Sequence, residues 1–542
     1  NVERDGANIS TATTTNVNSI DLASNVDATM TISQHGKLDA AAGTNSVTLA
    51  DAGTFSANSL VETYVLAAAG GSVITLTNAA QSVTTGADSS DTIDVAALAA
   101  TGTFNTVAAD IIKIGDGGNI AGVNGEGNGA GAALDANNVT LVNGASVSMT
   151  AAQHNGFTTV VAGGTEQITL TDAGTVTGDA AIETYVLGGT SNTFTLGDAA
   201  QNVNTGAGGT NTIDFAALTA TGAITTQSTD VIKLGNGADI KGANGEGNGV
   251  GAAFTAQNLT LVNDASVTMT AAQNGSFTGT VAADGAEQIT LSTAGTTNAL
   301  NGVETYVLAA AGGSVLTLTN VAQSVTTGAD SADTIDVAAL AATGTFNTVA
   351  ADIIKIGDGG NIAGVNGEGN GAGAALDANN VTLVNGASVS MTAAQHNGFT
   401  TVVAGGTEQI TLTDAGTVTG DAAIETYVLG GTSNTFTLGD AAQNVNTGAG
   451  GTNTIDFAAL TATGAITTQS TDVIKIDDGA DIKGVTVGGV TGAAFTAINV
   501  TANGNATMTR LQNNSFTGTA NITGTNTFTM STIGAITALA GV

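Results

Sequence analysis

Oxygen-bearing side chains recur beside glycine at two places in this chain, and the chemistry open to them is the binding of a hard cation. The first is Gly86-Ala-Asp-Ser-Ser-Asp-Thr-Ile-Asp, repeated as Gly328-Ala-Asp-Ser-Ala-Asp-Thr-Ile-Asp. Asp88, Asp91 and Asp94, and in the second copy Asp330, Asp333 and Asp336, offer carboxylate oxygens at a glycine turn, which suits calcium. The second place is Asn124-Gly-Glu-Gly-Asn-Gly, repeated from Asn366. There Asn124, Glu126, Asn128 and Asp135, and likewise Asn366, Glu368, Asn370 and Asp377, carry oxygens at the first, third, fifth and twelfth places of a loop with glycine at the sixth. That is the spacing of an EF-hand calcium loop, although the bidentate Glu and the flanking helices are missing. The competing reading of both stretches is a solvated turn.

Other chemistry lacks its residues. Cysteine is absent, so there is no disulfide framework and no thiol nucleophile. His35, His154 and His396 occupy equivalent Gln-His turns one repeat apart and cannot meet on one metal. Lys113, Lys233, Lys355 and Lys475 each follow an Asp by three residues (Asp110, Asp230, Asp352, Asp472), which suggests a local ion pair. No nucleophile–base pair, phosphate loop or zinc cluster is visible, so an enzyme is not expected.

The elements that must position these residues are short strands in a tandem array. Val61-Glu-Thr-Tyr-Val-Leu recurs from Ile182, Val303 and Ile424, and the four Tyr of the chain (Tyr64, Tyr185, Tyr306, Tyr427) all lie in it. This motif reads as a packing joint: Glu62 and its equivalents as turn carboxylates accepting backbone N–H groups, the Tyr as the largest side chain in a core of small ones. Within a repeat, β-branched segments centred on Ile74, Val83, Ile93, Phe104 and Ile112 are 9, 10, 11 and 8 residues apart, with Gly, Ala, Asn and Asp between them. Many short strands at regular spacing follow. The stretch from Gly115 to Gly131 reads as a surface loop because glycine buries little. Thr75-Leu-Thr77, Thr169-Leu-Thr171 and Thr290-Leu-Ser292 are explained by β-propensity, or by a Thr ladder of the kind ice-binding solenoids present.

We read residues 1–61 as a partial divergent repeat, 62–182 as repeat A1, 183–303 as B1, 304–424 as A2 and 425–542 as B2, divergent at its end. Residues 91–233 are identical to residues 333–475. A block duplicated so closely suits spacers, coats and stalks better than enzymes. The chain starts inside a repeat and stops where another Glu-Thr-Tyr is due, so a portion of something longer is expected. The fold class is all-β: an elongated tandem-repeat parallel β-solenoid of about six coils per repeat, with a string of β-sandwich domains as the alternative. The absence of Pro and Trp and the lack of linker composition favour the solenoid.

The aspartate turn resembles the RTX nonapeptide Gly-Gly-x-Gly-x-Asp-x-hydrophobic-x. Gly86, Asp91 and Ile93 match its first, sixth and eighth positions; Ala87 and Ser89 depart from it, and Asn211 replaces the Asp in repeat B1. The wider composition, acidic, free of Cys and rich in Ala, Gly, Thr, Val and Asn, is similar to that of type I-secreted bacterial surface-layer proteins and giant adhesins. The resemblance implies a secreted protein on the bacterial cell surface, stabilised by calcium and self-assembling into a coat, filament or sheath. The alternatives are the repetitive stalk of an adhesin, and an ice- or polysaccharide-binding solenoid with cell-surface polysaccharide as partner. A net charge of −35 argues against nucleic acid and anionic membranes. No apolar run is long enough to span a bilayer.

Overall fold

The computed structural model describes residues 1–87, 90–329 and 332–542. It is a β-solenoid. Successive short strands alternate between two sheets, and each strand pairs in parallel with the strand one coil away. Thus Val73–Thr75, Thr92–Ala96 and Ile111–Ile114 form one ladder, with Ile93 opposite both Ile74 and Ile112. Thr63–Val65, Ser82–Thr84 and Thr103–Asn105 form the other, with Tyr64 opposite Val83 and Val83 opposite Phe104. All five strands expected from the spacing of Ile74, Val83, Ile93, Phe104 and Ile112 are present. The β-sandwich alternative is overturned: a sandwich needs antiparallel ladders, whereas the named strands pair in parallel except for the small hairpin Thr486–Val487 with Val490–Thr491.

The burial pattern of these strands alternates, so the central apolar side chain of each points inward and mostly hydroxyl, amide or β-branched side chains point outward. Ile74, Val83, Ile93, Phe104 and Ile112 are all fully buried. Each such side chain contributes about 1.5–3 kcal/mol. The largest fully buried side chains are the four Tyr and Phe104, Phe194, Phe215, Phe346, Phe436 and Phe457. Close approach of coils is enforced by glycine. A Cβ on Gly102 would lie 1.9 Å from the carbonyl oxygen of Gln81, and the equivalent Gly222, Gly344 and Gly464 are as tight.

The Gly-rich stretch from residue 115 is not a surface loop. It is a coil of the solenoid: Ile120 and Val123 are fully buried, Asn119 bridges both Ala99 and Ser148, and Asn124–Gly125 joins the sheet of Thr103–Asn105. Glycine serves here as the residue thin enough to pass, since a Cβ on Gly118 would meet the Ala96 carbonyl oxygen at 2.6 Å and one on Gly125 the Ala133 oxygen at 2.5 Å. Within it only residues 116–117 and 127–130 are exposed.

The sheets restart with the sequence repeat. One six-stranded sheet runs from Thr54–Ser56 to Thr159–Val161 and the next from Thr175–Thr177 to Val281–Ala282. A short helix marks each restart, as at Ala151–Gly156 and Ala393–Gly398. Thr150 caps the first: its hydroxyl accepts the N–H of Gln153, whose side chain accepts the N–H of Thr150. By contact density the chain forms two compact units, one of residues 1–268 with 276–282, the other of residues 269–275 with 283–542.

Candidate functional site

Of the sequence-derived cation ligands, Asp91 and Asp333 fall at a coil corner, where their carboxylates are bonded from within the fold. Asp91 is fully buried. Its Oδ1 accepts the N–H of Ser72 at 2.8 Å and its Oδ2 that of Gly86 at 3.2 Å. Its own N–H donates to Oδ1 of Asp110 at 2.8 Å. Oδ2 of Asp110 in turn accepts the Thr85 hydroxyl at 2.5 Å and the Val107 N–H at 2.8 Å. Carboxylates thus form a ladder along the corner, each accepting a backbone N–H of the preceding coil. Asp333 and Asp352 repeat it, with Asp333 accepting from Ser314 at 2.8 Å and donating to Asp352 at 2.9 Å. In repeat B1 the rungs are Asn192, Asn211 and Asp230, so the amide that breaks the RTX-like pattern preserves the ladder.

Asp94 sits outside this corner. It accepts Lys113 Nζ at 2.8 Å and the N–H of Ala96 at 3.0 Å; Asp336 holds Lys355 at 2.7 Å. The lysine pairing read from sequence is therefore corrected. Lys113 meets Asp94 on the neighbouring coil, while Asp110, three residues before it, faces the corner amides. Asp88 and Asp330 lie outside the described residues.

The second candidate is a hairpin. Asn124 bridges Ala130 in antiparallel fashion, and its Oδ1 accepts the N–H of Gly129 at 2.7 Å. Glu126, held at φ +48°, accepts the N–H and the hydroxyl of Thr106 through Oε1 at 2.8 and 2.7 Å. Its Oε2 has no hydrogen-bond partner among the described residues. Asn128 and Asp135 are exposed. Asn366 and Glu368 repeat the arrangement, with Asn370 and Asp377 again exposed. The two motifs are not brought together, and no group of three His, Cys, Asp or Glu side chains among the described residues is placed to hold a metal.

The repeat motif builds a second buried polar contact. Tyr64, Tyr185, Tyr306 and Tyr427 are fully buried. Tyr185 Oη accepts the N–H of Asp179 at 2.8 Å and lies 3.1 Å from His154 Nε2; Tyr64 with His35 and Tyr427 with His396 match it at 3.0 Å. At Tyr306 the partner is Asn274, at 3.4 Å. The glutamate one residue upstream of each Thr-Tyr reaches back, as expected: Glu62 Oε2 accepts the N–H of Asn45 at 2.8 Å and Glu183 that of Glu166 at 2.9 Å. Burial opposes ionisation of Glu166, but N–H groups of Gly144, Gly163 and Gly164 outweigh it and hold its carboxyl below the usual value.

Burial pushes the imidazoles of His35, His154 and His396 below their ordinary 6.5. For His154, Asn155 and Asp179 oppose that shift without cancelling it, and Nδ1 has no partner among the described residues. Well above pH 6.5 the histidines are neutral folded or unfolded and add no pH dependence. Below it the unfolded chain takes up protons that the folded chain resists, so stability falls as pH drops from about 6.5 towards the lower folded value. The thermal midpoint should therefore decline over this window. It should decline less in a triple variant carrying His35→Asn, His154→Asn and His396→Asn, which copies the natural Asn274 joint; a scan of melting against pH for both proteins checks this.

Comparison with protein-family models, curated proteins and solved structures returns no match. No helix among the described residues is long and apolar enough to cross a membrane.

Proposed function

We propose that this chain is a structural protein of the bacterial cell exterior that self-assembles into a coat, filament or sheath. The observation that carries the reading is the use of its reactive groups. The buried carboxylates, amides and imidazoles bond one coil to the next, and the 91–233 block, repeated without change as 333–475, gives each unit the same outer surface. Such a surface suits many identical weak contacts rather than one turnover site. Calcium enters as the counter-ion that screens a net charge of −35, acting at exposed turn carboxylates such as Asp135 and Asp377. Negative-stain microscopy of the purified protein should show ordered lattices or filaments, which disperse when a chelator is added at low ionic strength. Isolated particles under all conditions would rule out assembly. Assemblies indifferent to the chelator would rule out calcium.

A further inference from the structure

The outward rows of the sheets are nearly free of net charge in a strongly acidic chain. On the sheet from Ser146–Met149 to Asn244–Gly245, every outward strand residue is Ser, Thr, Gln, Asn, Ala or Val. The same holds for the strands Ser46–Leu49 to Asn124–Gly125, and in the other unit for Ser388–Met391 to Ile466–Thr467. Among the described residues the six-stranded companion sheets carry charge as the pairs Asp94–Lys113, Asp214–Lys233, Asp336–Lys355 and Asp456–Lys475, and the two-stranded sheet of Ile20–Leu22 with Leu38–Ala41 carries Asp21 and Asp39. Exposed acids lie at turns instead, as at Asp116, Asp172 and Asp198.

We infer that the uncharged sheets are the surfaces through which copies of this chain bind one another, face to face. This inference rests on the assembly proposed above and names its contact. Three observations favour a second copy as the occupant. Rows of side chains repeat about every 4.8 Å along the sheet, and another copy is a partner whose rows share that period and can interdigitate throughout. The face offers no charge to a nucleic acid, a polycation or an ionic headgroup. Its size also fits: six strands of three or four residues cover roughly 30 Å by 10–13 Å, or about 350 Å², less than half of what one partner commits to a stable interface. One face alone is therefore weak, and repetition along the chain supplies the avidity. The acidic turns repel across the contact, so association should strengthen with salt.

The test uses the full chain with a lysine on an inner strand of each uncharged sheet: Thr48→Lys, Thr169→Lys, Thr290→Lys on Gln288–Leu291, and Thr411→Lys together. A control carries Thr75→Lys, Thr195→Lys, Thr317→Lys and Thr437→Lys on the companion sheets, with the same change in net charge. Both are first shown to melt like the parent by circular dichroism. Sedimentation and light scattering across protein and salt concentration should then show parent and control assembling alike, and the face variant needing at least tenfold more protein. Equal assembly of the face variant overturns the face assignment while leaving assembly itself intact. Loss of assembly only in the control moves the contact to the companion sheets and likewise overturns it. A parent that stays monomeric at every concentration refutes the assembly proposal, and the face assignment with it. A monomeric parent that co-sediments with crystalline cellulose, with loss only in the face variant, makes a polysaccharide the occupant and overturns self-association.

Discussion

Replacing Asp110 with alanine should destabilise its unit by about 3–5 kcal/mol. The carboxylate is fully buried and accepts three donors: the N–H groups of Asp91 and Val107 and the hydroxyl of Thr85. Alanine strands all three without water, at about 1–3 kcal/mol for each buried donor left unmade. Asn should cost less, about 1–3 kcal/mol, because its carbonyl still serves Asp91 while its NH2 cannot accept from Val107. Asn211, which fills a rung of the ladder in repeat B1, shows that an amide is tolerated at this corner. Hydrogen exchange at the amides of Asp91 and Val107, with urea denaturation of the same variants, measures the effect. A loss below about 1 kcal/mol for the alanine variant would mean that the corner ladder follows the fold rather than holding it.

Tyr185→Ala should cost about 3–5 kcal/mol, the range for removing a large ring from a packed core. Its ring sits 4.7 Å from Phe194 and 5.5 Å from His154, centroid to centroid. Tyr185→Phe separates the two roles of the side chain. It keeps the ring and deletes Oη, leaving the N–H of Asp179 and Nε2 of His154 without their partner, for about 1–3 kcal/mol. His154→Asn should be milder than either, since Asn274 fills that place beside Tyr306. The order of melting temperatures among the three variants decides whether the joint is held by packing or by its hydrogen bonds.

The repeat and the strands were legible in the sequence because both are local signals. Four Glu-Thr-Tyr copies and a strand centre about every ten residues are visible within a short window. The corner ladder was not, because its partners are nineteen residues apart: Ser72 to Asp91, and Asp91 to Asp110. A self-comparison at the length of one coil, rather than of one repeat, would have aligned these residues. It would also have aligned Asp94 with Lys113, again nineteen apart. The short helices carry a local signature, Thr150 followed three residues later by Gln153. The Gly-rich coil reads from sequence as a loop because glycine buries little, whereas in the fold its use is to let neighbouring backbone come close. For the cation ligands, residue type was legible but orientation was not: Asp91 and Glu126 point at backbone N–H groups that only stacking brings within reach.

The corner ladder has a direction. Asp91 serves an amide of the preceding coil, Asp110 serves Asp91, and Gln81 reaches back to the carbonyls of Asn58 and Val61. At this corner each coil is therefore completed by the one that follows it in the chain. A polypeptide emerging amino end first would settle one coil behind its own exit, like a zipper whose slider trails the hand. Unravelling would be easiest from the carboxyl side, where a coil's amides lose the acids that seal them.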